Sequence, residues 1–343
     1  MNTPTYPSYC VAIRTLGTAG EKYLRTLRAC AAQTVQPRRI LVYIPHGYEL
    51  PAETIGREKY IRCEKGMVAQ RSLPFDEIDT DCVLFLDDDL DFPADLAERL
   101  FDAMEHHDSQ LASPAIFDNE RGTWKLKLKW AVLMQTLPHS DDRFAYKIRR
   151  SGHYSYHNRP HAASMPSQSC SGACIMMTMD AYRAIRFADE RWLDTMPYAL
   201  GDDQVMAYKA YRSGLRPCVV YDSGIEHLDA GSGTRRDSAR NNYVSEFVRT
   251  VIWYRTIFGA AVGAGAKARA LLSFAAAKAF DLVMAVPYSV VKRSFFPLKN
   301  IFRGGVDAWR FVCSQKFRDL PPYMAYSDKK KAGRTRNAEN GVK

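Results

Sequence analysis

At 343 residues the chain has room for one large domain or two ordinary ones, each with its own core. Hydrophobic residues at 46% and charged residues at 25% exclude general disorder, and eight cysteines at irregular spacings, with no C-x-x-C, give neither a disulfide framework nor a zinc signature. The formal charge of +10 is uneven: residues 260–343 carry a net +11 and the rest about −1, so the body does not read as a nucleic-acid binder and an anionic partner is expected at the C-terminal end.

In chain order, "MNTPTYPSYCVAIRTL" lacks the apolar core of a secretory signal, and the scattered thiols suit a reducing cytosol; a cytoplasmic location is expected. "YCVAIRT" (9–15) predicts a strand, "EKYLRTLRACAAQ" a helix, and "RRILVYIP" (38–45) a second strand. "DCVLFLDDD" (81–89) predicts another strand, and "FPADLAERLFDAMEHH" a helix with Leu96, Leu100, Phe101 and Met104 on its apolar face. Residues 119–169 are polar, turn-rich and expected to be partly irregular. "GACIMMTMDAYRAI" then predicts a buried strand entering a helix, "DDQVMAYKAYRSG" a helix closed by Gly214, and "RPCVVYDSGIEHLDAGSG" a strand leading to a glycine-rich loop. The alternation predicts an α/β layer with a largely parallel sheet, whose ligands sit beyond the carboxyl ends of the strands. The apolar stretch 270–291 is interrupted by Lys278, Asp281 and Pro287, which argues against a membrane-spanning helix, and 326–343 is expected to be disordered.

The densest chemistry is "FLDDDLDFP" (85–93), which sets Asp87, Asp88, Asp89 and Asp91 behind an apolar run. The run reads either as a solvated acidic turn or as carboxylates collected by a cation. No basic residue lies close in sequence, so a bound divalent cation is the more economical reading. Asp87, Asp89, Asp91 and Glu98 have EF-hand spacing, but Phe92 stands where that loop needs glycine, and Pro93 follows it.

"GMVAQRSLPFDEIDTDCVLFLDDDLDFP", "SGACIMMTMDAYRAIRFADERWLDTMPYALGDDQVMAYKAYRSG" and "VVYDSGIEHLDAGS" follow one another in an order and spacing that resembles the family 2 glycosyltransferases of bacterial type. The resemblance covers roughly residues 9–258. It implies a GT-A fold, Rossmann-like, with helices on both faces of the sheet. Residues 1–258 would form the catalytic domain, with 1–110 as its nucleotide-sugar half and 111–258 as its acceptor half. A basic amphipathic helical region (259–325) and the tail (326–343) would complete the chain. Carried over by position, Asp87 and Asp89 match the aspartate-x-aspartate pair, with Asp88 between them, and His227 the histidine that completes the metal site. Asp89 would be the direct ligand of Mn²⁺ or Mg²⁺, with Asp87 beside the ribose or a metal-bound water. Thr15 and Arg71 would face the nucleotide. Asp203, second of the acidic pair Asp202–Asp203, aligns with the general base, leaving Asp202 as a helix cap. Many members carry an acidic pair after the second strand to read the base; this chain has "YIPHGYE" there, a departure at the position that would read the expected uridine.

The implied reaction is an inverting transfer from a nucleoside-diphosphate sugar, with UDP-sugar expected, to a glycan or lipid-linked acceptor in cell-surface polysaccharide synthesis. Arg235, Arg236 and Arg240, in the loop 228–242, are candidates for a lid over the diphosphate. His153, His157 and His161 read as acceptor-loop residues. Lys267, Arg269, Lys278, Lys292, Arg293, Lys299 and Arg303, interleaved with apolar residues over 264–303, suit an anionic membrane surface on the cytoplasmic face of the inner membrane, or simple packing on the body. A nucleotidyltransferase would share the metal site, yet no glycine-rich loop with lysine stands near the N-terminus. A non-catalytic sugar-binding scaffold would not need the second acidic pair.

Overall fold

A computed structural model describes residues 6–116, 143–156, 161–196, 201–228, 238–291 and 293–323. Among the described residues the main sheet has eight strands in the order β3-β2-β1-β4-β10-β6-β11-β9. These are β1 (Tyr9–Arg14), β2 (Ile40–Pro45), β3 (Glu58–Cys63), β4 (Cys82–Asp87), β6 (Leu111–Pro114), β9 (Ser164–Pro166), β10 (Cys174–Thr178) and β11 (Pro217–Val220). Four short strands lie outside it: β5 (Leu90–Asp91), β7 (Tyr146–Ile148), β8 (Tyr154–Tyr156) and β12 (Glu226–His227). The helices are α1 (Glu21–Ala31), α2 (Leu96–His106), α3 (Met179–Ile185), α4 (Asp202–Arg212), α5 (Ser238–Ile252), α6 (Ala264–Val291), α7 (Phe296–Val312) and α8 (Gln315–Arg318). The expected mixed α/β layer with C-terminal helices is what the chain builds.

Strands β3, β2, β1 and β4 are mutually parallel, and β10 enters antiparallel between β4 and β6. The apolar runs explain this. YCVAIR, ILVYIP and CVLFLD are buried on both faces, as central parallel strands require. The chain winds outward from β1 through β2 to β3, then returns to place β4 on the other side of β1. That reversal opens a crevice beyond the carboxyl ends of β1 and β4, where ligands of open α/β sheets bind. In the register of this pair, Arg14 lies opposite Asp87.

Two helices fix the loop that leaves β4. Helix α1 packs Tyr23, Leu27 and Cys30 into the core, and from its buried face the Thr26 hydroxyl donates to the Leu90 carbonyl (2.8 Å) and accepts from the Leu90 N–H (2.9 Å). Gln33, just past α1, donates to the Pro93 carbonyl (2.9 Å) and accepts from the Ala97 N–H (2.9 Å), satisfying a donor at the start of α2 where Asp95 makes no cap. The aspartate run is thus clamped on its far side by one hydroxyl and one amide.

The chain divides into two compact units. The first comprises 1–147, 155–211 and 215–232 and holds the sheet. The second comprises 148–154, 212–214 and 233–343. In the second, α5 and α7 pack so closely that a Cβ on Gly304 would lie 2.6 Å from the Tyr243 carbonyl oxygen. A network of charges is buried there too. Lys278 and Asp281 of α6 meet Glu246 and Arg249 of α5, with Lys278 Nζ 2.6 Å from Glu246 and Arg249 Nη2 2.9 Å from Asp281. His153 joins it at 3.7 Å from Asp281, while its Nδ1 lies 3.0 Å from the Ser151 hydroxyl. His153 is therefore 4% exposed and tied within its unit, not presented to an acceptor as expected, and Lys278 is turned inward instead of joining the surface cations. His157 and the tail 326–343 lie outside the described residues.

Candidate active site

Four charges from four distant places in the sequence meet beyond β1 and β4. Arg14 Nε donates to Asp87 Oδ1 at 2.6 Å, and its Nη1 to Asp202 Oδ2 at 3.2 Å. Arg71 repeats the arrangement from the other side, with Nη2 3.1 Å from Asp87 Oδ1 and Nη1 3.0 Å from Asp202 Oδ2. The counter-charge that Asp87 lacks locally in sequence is supplied by these two guanidiniums, so the aspartate run does not need a cation at every position. Burial works against the charge of Arg14, but Asp87 and Asp202 hold it protonated well above its ordinary range. Arg71 is pulled the other way, first by burial and then by Arg14 beside it. Burial opposes ionisation of Asp87 as well, and the two arginines overcome it to hold its carboxyl below the usual range.

The turn carrying Arg71 is itself held. Residues Ala69–Arg71 form a single 3-10 turn, and the Asp194 carboxylate accepts from the Val68 and Ala69 N–H groups at 3.0 and 2.9 Å. Asp194 lies in a second 3-10 segment (Phe187–Thr195) that is anchored by a fully buried pair, Lys209 to Glu190 at 2.9 Å, with the Trp192 indole donating to the same carboxylate. Lys209 belongs to α4, the helix that begins with Asp202 and Asp203. One chain of contacts therefore fixes Arg71 and the second acidic pair together.

Asp202 gives its Oδ2 to both Arg14 and Arg71. Asp203 takes a different environment. Its Oδ1 accepts from the Gln204 N–H (2.8 Å) and its Oδ2 from the Gly172 N–H (3.2 Å). Burial and the adjacent Asp202 charge push its carboxyl up to about 6. Gly172 is needed by closeness: a Cβ there would lie 2.5 Å from the Asp203 Cβ and 3.0 Å from Arg71 Nη1, and the Gly172 carbonyl accepts from Arg71.

The other members of the run face separate partners. The Thr15 hydroxyl donates to Asp88 Oδ2 (2.5 Å) and accepts from the Gly17 N–H (2.9 Å). Burial raises Asp88 to about 6, against that hydrogen bond and assisted by Asp87 and Asp89. Asp89 Oδ1 lies 3.1 Å from His227 Nε2, brought there by the antiparallel pairing of β5 with β12. Among the described residues no three His, Cys, Asp or Glu side chains close around one point. The pair Asp89–His227, just before β5 and on β12, nonetheless offers a carboxylate oxygen and an imidazole nitrogen, a mixed donor set that suits Mn²⁺ better than Mg²⁺ with its all-oxygen preference. Both guanidinium contacts of Asp87 fall on Oδ1, and neither engages Oδ2.

Residues 49–186 match the family described as glycosyl transferase family 2. The matched segment covers less than half of the chain. The segment contains Arg71, the aspartate run and Gly172; Thr15, Asp202, Asp203 and His227 come from outside it and meet it in space. Two solved structures are similar to the chain. One is GalNAc-T7 with UDP, GalNAc and Mn²⁺, at 12% identity and TM-score 0.46, covering 74% of this chain and about half (51%) of that one. The other is the mannosyltransferase PcManGT from Pyrobaculum calidifontis in complex with GDP-Man and Mn²⁺, at 14% identity and TM-score 0.47, covering 90% of this chain and 87% of that one. No curated protein matches.

Of the residues picked out from the sequence, Arg71, Asp87, Asp202 and Asp203 meet in one cluster, directly or through Gly172, while Thr15 with Asp88 and Asp89 with His227 form separate pairs on the residues that follow Asp87 in the run. Arg235 and Arg236 lie outside the described residues; Arg240 falls in α5, its side chain outside the description. Sequence reasoning passed over Arg14, Gly172 and Asp194. The signal for Arg14 was its position as the last residue of β1, one before Thr15; for Asp194, the acidic residue closing "ADERWLD".

Proposed function

We propose that this chain is an inverting, metal-dependent glycosyltransferase that moves a sugar from a nucleoside-diphosphate donor, a UDP-sugar, to a glycan or lipid-linked acceptor in cell-surface polysaccharide synthesis, working at the cytoplasmic face of a membrane. One observation carries the reading. Two acidic clusters far apart in sequence meet through Arg14 and Arg71, and one carboxyl among them, Asp203, is left without a cationic hydrogen-bond partner and raised to about 6. A carboxylate tuned toward neutrality and oriented by two backbone N–H groups suits a general base. Asp203 takes the proton of the acceptor hydroxyl, on the side away from the departing diphosphate. Asp202, locked by two arginines, fixes the start of α4 and so aims its neighbour. Asp89 and His227 would hold the divalent cation, which supplies Lewis-acid neutralisation of the leaving diphosphate. Thr15 and Asp88 form the wall on the nucleotide side.

The test is incubation with a panel of nucleotide sugars and Mn²⁺ or Mg²⁺, with products read by mass spectrometry. Free nucleoside diphosphate is the expected product. Pyrophosphate would indicate nucleotidyl transfer, and neither product, with retained sugar binding, a scaffold. Asp89→Ala or excess chelator is expected to abolish donor turnover; full turnover in chelator would remove the metal from the mechanism.

A further inference from the structure

Large apolar side chains exposed to solvent are concentrated in one part of the second unit. Leu16 and Leu50 apart, every one among the described residues lies between Val262 and Trp309. Helix α6 accounts for most of them. Its inward stripe is Ala270, Phe274, Ala277, Asp281, Ala285 and Ser289, with Lys278 beside it. Its outward face runs through Leu271, Leu272, Leu282, Val283, Val286 and Val290, without a charge. That face continues past the helix end into Phe295 and Phe296, each about two-thirds exposed (66% and 64%). Exposed cations stand at both ends: Lys267 and Arg269 before it, Arg293, Lys299 and Arg303 after it.

We infer that the outward face of α6, with the turn into α7, seats on an anionic lipid bilayer, α6 lying in the plane of the membrane. The uncharged strip from Leu271 to Val291 is about 30 Å long at the α-helical rise, too continuous for an ordinary solvated face. Its basic ends are the complement of anionic headgroups, and each such residue near a charged surface strengthens binding about fivefold. An in-plane position follows from the inward stripe. Helix α6 is long and apolar enough to cross a membrane, with 18% of its most apolar window buried. However, Lys278 and Asp281 at its middle are bonded to Glu246 and Arg249 of α5. Spanning would break those pairs and carry their charges into hydrocarbon, whereas lying flat keeps them. Lipid, and not a second copy of the chain, is the occupant because both flanks carry the same positive sign and would repel across a paired interface.

This inference stands apart from the transferase reading, since vesicle binding is measured without donor or acceptor. Full-length protein is sedimented with vesicles of phosphatidylglycerol or of phosphatidylcholine, at low and high salt. Binding to phosphatidylglycerol is expected, with only weak binding to phosphatidylcholine. Val283→Asp with Val290→Asp, both exposed, is expected to weaken binding at least ~10-fold in either salt. Arg293→Glu with Lys299→Glu is expected to remove the preference for the anionic lipid. Circular dichroism melts verify that each variant is folded. Protein left in the supernatant of phosphatidylglycerol vesicles at low salt overturns the proposal, as does binding indifferent to the two aspartates. So does self-association in light scattering that the aspartates abolish while vesicle binding is absent. Retention after carbonate washing would overturn the in-plane placement.

Discussion

Asp203 carries both a catalytic and a stability prediction. With the native carboxyl near 6 and the ordinary value at 3.8, the folded protein holds this proton more tightly than the unfolded chain. The resulting stabilisation is present below pH 3.8 and lost as pH rises through about 6, so at neutral pH the ionised group is a burden on the fold. Asp203→Asn removes that burden. It is expected to melt above wild type at pH 7, by a margin that closes as pH falls toward 4, while turnover falls by ~10²–10⁴ with donor affinity nearly unchanged. Thermal melts across pH beside single-turnover transfer check both arms, and wild-type turnover in this variant would disprove the base assignment. In wild type the acid limb of the rate profile is expected near pH 6, with activity lost below it. Arg14→Lys keeps the charge but cannot reach Asp87 and Asp202 with separate nitrogens as Arg14 does at 2.6 and 3.2 Å. We expect ~1–3 kcal/mol of lost stability, measured by denaturant titration. Gly172→Ala, driven into Asp203, is expected to lower kcat more than donor affinity.

Individual elements show what was legible and what was not. Strands β1, β2 and β4 and helices α1 and α2 were readable because each is dominated by one burial pattern: continuous apolar runs, or an amphipathic repeat. Strand β3, EKYIRC, was missed; it lies at the edge of the sheet, where charged and partly exposed residues erase the apolar signal. Strand β6, LASP, is only four residues and carries no periodicity. The acidic residues of the site were visible as clusters, but the arginines that answer them are revealed only by the fold: Arg14 by strand order and Arg71 by the turn that Asp194 holds. Arg14 is opposite Asp87 only because β1 and β4 are neighbours. Asp194 is a similar case, since its partners Val68 and Ala69 are more than a hundred positions away. Asp194→Ala leaves two backbone donors without that acceptor. It is expected to cost ~1–3 kcal/mol in a denaturant titration and to weaken donor binding as the Arg71 turn loosens; asparagine, which retains one acceptor oxygen, is expected to recover part of both.

Across the whole molecule, the two units rely on different means of stabilisation. The first is built around a sheet core of Val, Ile, Leu, Met and aromatic side chains. The second holds α5 and α6 together with buried charges, and burial pulls Lys278 down to about 8, most strongly by desolvation and then by Arg249. Lys278→Met strands Glu246 with one cation fewer and is expected to destabilise by about 3–5 kcal/mol. A lowered thermal midpoint with unchanged donor titration would place the loss in the second unit. The charge asymmetry read from the sequence gains a physical meaning here. The net excess of +11 in residues 260–343 is spent on acids only in part: Lys278 answers Glu246 beside Arg249, and Arg303 lies 3.7 Å from Asp307, while Lys267, Arg269, Arg293 and Lys299 stay exposed at the surface.

The square of Arg14, Arg71, Asp87 and Asp202 has a consequence for how the sequence can drift. Each guanidinium touches both carboxylates and each carboxylate touches both guanidiniums, so no corner can be replaced without stranding two opposite charges in a buried place. Among relatives of this chain these four positions should be inherited as a block. Where one corner becomes neutral, a second of opposite sign should have changed with it, and the lineage bridging the two states should pass through a less stable protein.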